Sequence, residues 1–506
     1  MKSLTLEQAP PILGCVEARA FEARYFAGDE SREWAAMQAA GRGVADAALA
    51  DWLELGEWPA APRVLVLAGK GHNAGDALLA AARVRARIPD ARIDFVLALG
   101  ERGLRPLARR ALDQLEDAQR VPADGASGWA REYDLCFDGV FGQQFRAPLP
   151  PLCAGLFARV NAHPVRLRAA VDLPSGLDGA DAFRADFTYA TGIVKTPLLG
   201  LASAGRPRYV DLGFFERTAE SAALAEEQGP ADRLLTRGVL RDLARWREPR
   251  GDKRDHGHVL VVAGSRRYPG AALMCVLAAL QAGAGLVSGA VPESLVPAFA
   301  ARAPEAIWIG LPETPDGGLA LEGVRLLHEA AGRVDAVVIG PGLGRERETL
   351  ALAREIVARS SRPLVLDADA LHPEVVGAGS APRVLTPHGG ESARLGTAIP
   401  GGAVVVRKGP LTRIEVAAVG DGARGPAWHS FFGGPVLSRG GSGDILAGLI
   451  GTLLAQTPGD PRGAAVRGVV WQGLAADALA RERGAAAVRS TQLLDFLAPA
   501  LRACGT

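Results

Sequence analysis

Three glycines and an aspartate stand at the entry to a strongly apolar run: Gly440, Gly441, Gly443 and Asp444 in GGSGDILAGLIGTLLAQ, residues 440–456. The run reads as a helix. A helix start offers unpaired N–H groups and the positive end of the backbone dipole, and glycines let a phosphate approach them closely. A carboxylate held at that edge can take a proton from a hydroxyl as the hydroxyl attacks phosphorus. A tight turn with Asp444 in the first helical turn would look the same in isolation. Three further loops narrow the choice: GPGLG (340–344) after DAVVI, TPHGGE (386–391) after RVL, and KGPLT (408–412) after AVVVR. Four such loops at successive strand ends point to phosphate chemistry.

A second set of polar residues lies in the first half. GKGHNAGDALL (69–79), FDGVFGQQF (137–145) and AVDLPSGLDG (170–179) each follow a short apolar run. Together they offer Asn73, Asp76, Asp138, Asp172 and Ser175. Neutral amide and hydroxyl oxygens with one carboxylate suit a monovalent cation. By contrast, His256 and His258 resemble a metal pair only in spacing, and Asp367 and Asp369 read equally well as caps of their own loop.

These residues need a frame that brings strand ends together. RVLVLAG (63–69), IDFVLAL (93–99), YDLCFDG (133–139) and RLRAAVDLPSG (166–176) are near-continuous apolar strands, with a helix over 77–88. The alternation resumes at His258 and closes with helices starting near Asp444, Pro461 and Thr491. That pattern predicts an α/β fold with parallel sheets covered on both faces. Ligands then sit beyond the carboxyl ends of the strands, one site per half. The polar segment 216–238 is the expected connector, giving domains 1–220 and 221–506.

Composition limits the rest. A chain of 506 residues exceeds one core. Its net charge of +1 argues against nucleic acid as a partner. The five cysteines form no CxxC pair, so a reducing cytoplasm is expected. Residues 271–291 carry no charge and are long enough to cross a bilayer. Ala and Gly dominate them, and a buried helix to Gln281 followed by a strand from Leu286 is the better reading, with no membrane span.

The C-terminal half resembles the ADP- or ATP-dependent NAD(P)H-hydrate dehydratases, a ribokinase-like family. HGHVLVVAGS, YPGAALM, AGAGLVS, IGPGLG, LVLDADAL, LTPHGGE, KGPLT and GGSGDILAGLI occur in family order over roughly 250–480. The resemblance implies that Ala271, Gly342, Gly344 and His388 contact hydrated NAD(P)H. It implies that Lys408, Gly409, Pro410, Leu411, Thr412 and Gly443 hold ADP or ATP, and that Asp444 acts at the hydroxyl. Mg²⁺ is expected with the nucleotide.

The N-terminal half, over roughly 15–215, resembles the NAD(P)H-hydrate epimerases. This implies K⁺ held by Asn73, Asp138 and Ser175. It also implies substrate contacts from His72, Asn73, Ala74, Gly75, Asp76, Gly142, Gln143, Gln144 and Asp172, with Asp138 the expected acid/base group. His72 stands where the family usually has Asn. Ala74 and Ala77 replace Gly, and Gln143 and Gln144 replace a small pair. In the C-terminal series Gly434, Arg439 and Ser442 depart from the usual residues.

The implied fold is an N-terminal Rossmann-like three-layer sandwich and a C-terminal ribokinase-like three-layer α/β/α sandwich. The implied protein is a homo-oligomer that repairs hydrated NAD(P)H. The rival reading is a ribokinase-like vitamin-alcohol kinase with a non-catalytic N-terminal nucleotide-binding domain.

Overall fold

The computed structural model describes residues 9–124, 128–215, 231–247, 249–420, 422 and 424–504. Residues 216–230 of the expected connector, and with them the expected boundary at 220/221, lie outside the described residues. The chain divides into two compact units, Pro10–Leu234 and Leu235–Thr506, the latter with Met1–Ala9.

The first unit is built on a seven-stranded sheet. Its strands are Arg63–Ala68 (β1), Arg92–Leu97 (β2), Gln119–Arg120 (β3), Tyr133–Gly139 (β4), Val165–Val171 (β5), Phe187–Thr191 (β6) and Arg206–Val210 (β7). They run parallel in the order β3-β2-β1-β4-β5-β6-β7. Along β1 the side chains alternate between two cores. Val64 and Val66 join Trp34, Val44, Leu78 and Phe137 on one face. Leu65 and Leu67 join Cys153, Leu156 and Phe157 on the other. Burial on both faces is why the strand reads as one continuous apolar run. Strand order reverses between β1 and β4, so the loops after these two strands splay apart at a switch point. Asn73 and Gly142 lie in those two connections.

The second unit repeats the logic. Its strands are His258–Val262 (β8), Leu286–Pro292 (β9), Ile307–Leu311 (β10), Ala336–Ile339 (β11), Leu364–Leu366 (β12), Arg383–Leu385 (β13), Val404–Arg407 (β14), Thr412–Val416 (β15) and Trp428–Ser430 (β16). They lie in the order β16-β15-β14-β13-β12-β11-β8-β9-β10. All pairs are parallel except β14–β15 and β15–β16. The reversal falls between β8 and β11, and Gly264 N–H donates to Pro341 O across it at 2.8 Å.

The apolar segment 271–291 divides as expected into a helix, Pro269–Gln281, and β9. Among the described residues no helix is long and apolar enough to cross a membrane. The helix Ser442–Gln456 is buried over most of its length. It packs so closely on Pro269–Gln281 that a Cβ at Gly448 would lie 2.3 Å from the carbonyl oxygen of Cys275. Backbone cannot retreat cheaply, and overpacking of this kind costs about 1–3 kcal/mol. Gly448→Val is therefore expected to destabilise the second unit by about that amount, read as a lower midpoint in urea unfolding followed by the burial-sensitive fluorescence of Trp471.

Candidate active sites

In the first unit, three strand-end loops converge. After β5, Asp172 takes φ +66°, a region that residues with a Cβ rarely adopt. Its carboxylate accepts from Lys195 Nζ at 2.5 Å. Lys195 is 1% exposed and sits in a short strand, Val194–Lys195, paired with Ile12–Leu13. Burial alone would lower the Lys195 ammonium, but the Asp172 and Glu22 carboxylates outweigh it and hold its pKa above the ordinary value. Burial pushes Glu22 up, against the pull of Lys195. Asp76 is driven well above the usual range by burial and then by Asp172 and Glu22.

These groups line a cavity of about 180 Å³, with His72, Asn73, Gly142, Gln143 and Gln144 also on its wall. Seven of the expected residues are thus brought together. Ala74 and Gly75 are not among the lining residues. Both are buried in the helix His72–Arg87, and a Cβ at Gly75 would lie 2.4 Å from Met37 Sδ. Gln143 Nε2 donates to Glu22 Oε2 at 2.5 Å, while its buried Oε1 has no partner. The amide that replaces a small family residue therefore projects onto a carboxylate of the wall.

Asp138 has a different place from the one expected of an acid/base group. It is fully buried and does not line the cavity. Its oxygens accept from Ser175 Oγ at 2.7 Å, Ser175 N at 2.8 Å and Val140 N at 3.2 Å. Burial raises its pKa to about 6 against those three hydrogen bonds. Ser175 Oγ in turn accepts from Phe141 N at 2.8 Å, and Asn73 Nδ2 donates to Phe141 O at 2.8 Å. Asn73, Asp138 and Ser175 are therefore linked by hydrogen bonds through Phe141.

Sequence reasoning missed Glu22, Lys70, Arg105, Thr191 and Lys195, all on the cavity wall. Lys70 lies within the GKGHNAGDALL motif, and Lys195 carried a signal as a lone lysine in the apolar run ATGIVKTP.

In the second unit, the four glycine-rich loops meet. Asp367, 1% exposed, accepts from Lys408 Nζ at 2.9 Å and Thr386 Oγ1 at 2.6 Å. Lys408 N donates to Pro387 O at 2.9 Å. Burial would lower the Lys408 ammonium, but Asp367, Glu391 and Asp444 hold it up. The helix Ser442–Gln456 begins directly on this pair. A Cβ at Gly443 would lie 3.2 Å from Lys408 Nζ and 3.6 Å from Asp367 Oδ2. No side chain caps this helix start; Ser442 N donates to Arg439 O at 3.4 Å, which leaves the N–H groups of Gly443 and Asp444 for a ligand. Asp444 follows, its carboxyl raised to about 6 by burial and by Asp367, with Lys408 opposing.

Asp367 and Asp369 do more than close their own loop. A Cβ at Gly340 would lie 1.8 Å from Asp367 O, so only glycine lets these strand ends meet. Asp369 accepts from Gly344 N at 3.0 Å and from Arg345 Nε at 3.0 Å. Gly344 thus spends its N–H inside the protein. Gly342 packs against Ala271 and Tyr268. His388 caps the helix Gly389–Leu395, its Nδ1 accepting from Gly390 N at 3.1 Å. Its side chain is 60% exposed, with Nε2 3.3 Å from Glu391 Oε1. Gly409, Pro410 and Leu411 form the β14–β15 turn, and Thr412 opens β15. His258 is structural, bonded to Ser288 Oγ at 2.8 Å. Among the described residues no group of three or more His, Cys, Asp or Glu is placed to hold a metal ion.

A family profile described as NAD(P)H-hydrate dehydratase matches residues 259–499, and one described as YjeF-related protein N-terminus matches residues 34–196. The bifunctional NAD(P)H-hydrate repair enzyme Nnr of Gloeobacter violaceus is 37% identical over 98% of both chains. That of Moorella thermoacetica is 34% identical over 87% of both. The solved ADP/ATP-dependent NAD(P)H-hydrate dehydratase of Bacillus subtilis, co-crystallised with ATP/Mg²⁺, is 28% identical. Its superposition has a TM-score of 0.44 and covers 53% of this chain and 97% of that one.

Two outcomes follow from the charges. Lys195→Met strands Asp172 without its cation, which costs about 3–5 kcal/mol for a buried pair; urea unfolding measures it. For Asp444 the folded pKa lies above the unfolded one, so the folded state keeps its proton to higher pH. Stability contributed by this group is therefore lost as pH rises from about 4 to about 6. Asp444→Asn is expected to melt higher than the wild type at pH 7.5 and to match it near pH 4, and carbon-detected NMR of Asp444 should titrate near pH 6.

Proposed function

The chain belongs to the bifunctional NAD(P)H-hydrate repair enzymes, and we propose that each of its units carries one step of that repair. The second unit dehydrates the S form of hydrated NAD(P)H at the expense of ADP. The first unit interconverts the R and S forms. The observation that carries this reading is the raised carboxylate of Asp444 on an uncapped, glycine-lined helix start beside Lys408.

Hydroxide is a poor leaving group and phosphate a good one. Asp444 accepts the C6-hydroxyl proton as the hydroxyl oxygen bonds to the terminal phosphorus of ADP and AMP leaves. Phosphate then departs from C6 with loss of the C5 proton, and the ring double bond returns. The 408–412 turn and Gly443 hold the nucleotide, and the open N–H groups of the helix start face its phosphate. Ala271, Gly342, Gly344 and His388 would contact the hydrated ring. Among the described residues no carboxylate cage awaits Mg²⁺, so the ion would arrive on the nucleotide's phosphates.

In the first unit, interconversion at C6 needs an acid to release the hydroxyl as water and a base to receive water on the opposite face. Asp172, aimed into the cavity and paired with Lys195, serves better than the enclosed Asp138. Asp76 keeps its proton to higher pH and can act as donor. Asn73, Asp138 and Ser175 would hold K⁺, which would supply positive charge to the site. The vitamin-alcohol kinase reading fits less well, because it leaves the acidic cavity of the first unit without a task.

Incubating the protein with mixed R and S hydrates, ADP or ATP, and Mg²⁺ tests both steps. Full return of reduced-nicotinamide absorbance with K⁺, and return of only the S share without it, is the expected result. A stable phosphorylated product with no such return would overturn the repair reading. Asp444→Asn should lower kcat by about 10³-fold or more while nucleotide affinity changes by less than about threefold.

A further inference from the structure

Outside the groups already given a chemical task, the second unit holds one buried carboxylate with a conspicuous set of partners. Asp367 is 1% exposed. It faces Lys408 from the end of β14 and Thr386 from the end of β13. Its own backbone carbonyl is the atom that Gly340 approaches. The next residue, Ala368, is held at φ +49°, a costly conformation for a residue with a Cβ. The strain is maintained on both sides, since Asp369 is fixed by Gly344 N and Arg345.

We propose that Asp367 is a positioning residue for the dehydration step: it anchors the Lys408 ammonium against the start of the helix Ser442–Gln456, where the cation faces both the transferring phosphate and the Asp444 carboxylate. The inference rests on the dehydratase reading above. A lysine on a flexible stem is a mobile point charge. Tied to Asp367 Oδ1 at 2.9 Å, it stays beside Gly443. Thr386 Oγ1 donates to that same oxygen and fixes the carboxylate in turn. A charge fixed before the reaction needs no reorganisation as negative charge builds on the phosphoryl oxygens.

The pair also acts on the carboxyl of its neighbour, which burial raises first. The charged and titratable groups that act on one another here are Asp444, Asp367, Asp369, Lys408, Glu391 and the Cys275 thiol. Asp367 raises the Asp444 carboxyl and Lys408 lowers it. Replacing Asp367 by Asn removes one of the charges that raise it, with burial and Asp369 still raising it and Lys408 still lowering it. The acid limb of the rate must then move to lower pH. A side chain that only braced the fold would not produce that shift.

The test is steady-state turnover of S hydrate with ADP and Mg²⁺ across pH, using the full chain. Asp367→Asn is expected to lower kcat by about tenfold or more with less than about a threefold change in the KM for ADP. Its acid limb should fall below the wild-type position near pH 6. A kcat within about twofold of wild type, or a limb that stays or rises, overturns the proposal. Should Asp367→Asn fail to fold, Thr386→Val decides. It should lower kcat by about threefold or more, with Thr386→Ser restoring it; equal rates for the two overturn the proposal. Absence of turnover in the wild type would instead remove the dehydratase reading itself.

Discussion

Lys408 and Asp367 meet at 2.9 Å under the first turn of the helix Ser442–Gln456, and the second unit's site is arranged around that contact. A buried carboxylate and a half-buried ammonium each carry a desolvation cost that the other offsets in part, with Thr386 Oγ1 also bonded to the carboxylate. Strands β12, β13 and β14 must therefore end in register, since each delivers one member of the network: Asp367, Thr386 and Lys408. Glycine at 443 gives the pair room, since a Cβ there would lie 3.2 Å from Lys408 Nζ. Asp444, one residue further on, inherits a setting of fixed charges rather than one of solvent.

The first unit meets a similar constraint with a different balance. One lysine, Lys195, faces the carboxylates of Asp172 and Glu22, with Asp76 buried nearby. Lys195 is bonded to Asp172, while burial disfavours the charged forms of Glu22 and Asp76. A site that must donate and accept protons at one carbon benefits from carboxyl groups in both states.

The glutamines at 143 and 144 show how a departure from family pattern is absorbed. Gln143 spends its amide on Glu22 at 2.5 Å and leaves Oε1 buried without a partner. A cavity of about 180 Å³ remains beside it. The added amide brings a further polar group to the cavity wall and leaves room for a small ring.

The sequence alone determined the strands, because burial on both faces writes itself as uninterrupted apolar runs such as RVLVLA, and it determined the loops, because glycine is the residue that lets backbone and phosphate come close. It also marked Asp444, whose place at a helix start is local. Tertiary structure alone decided which polar groups do the work. Glu22 and Lys195 lie far apart in the chain and carry no motif, and only the β-sheet order and the pairing of Ile12–Leu13 with Val194–Lys195 bring them to one cavity. Asp138 looked like an acid/base group in its motif, yet the fold turns both its oxygens toward Ser175 and Val140. A carboxylate's role follows from what its oxygens face, and that is set by packing between distant segments, which residue type and spacing do not encode.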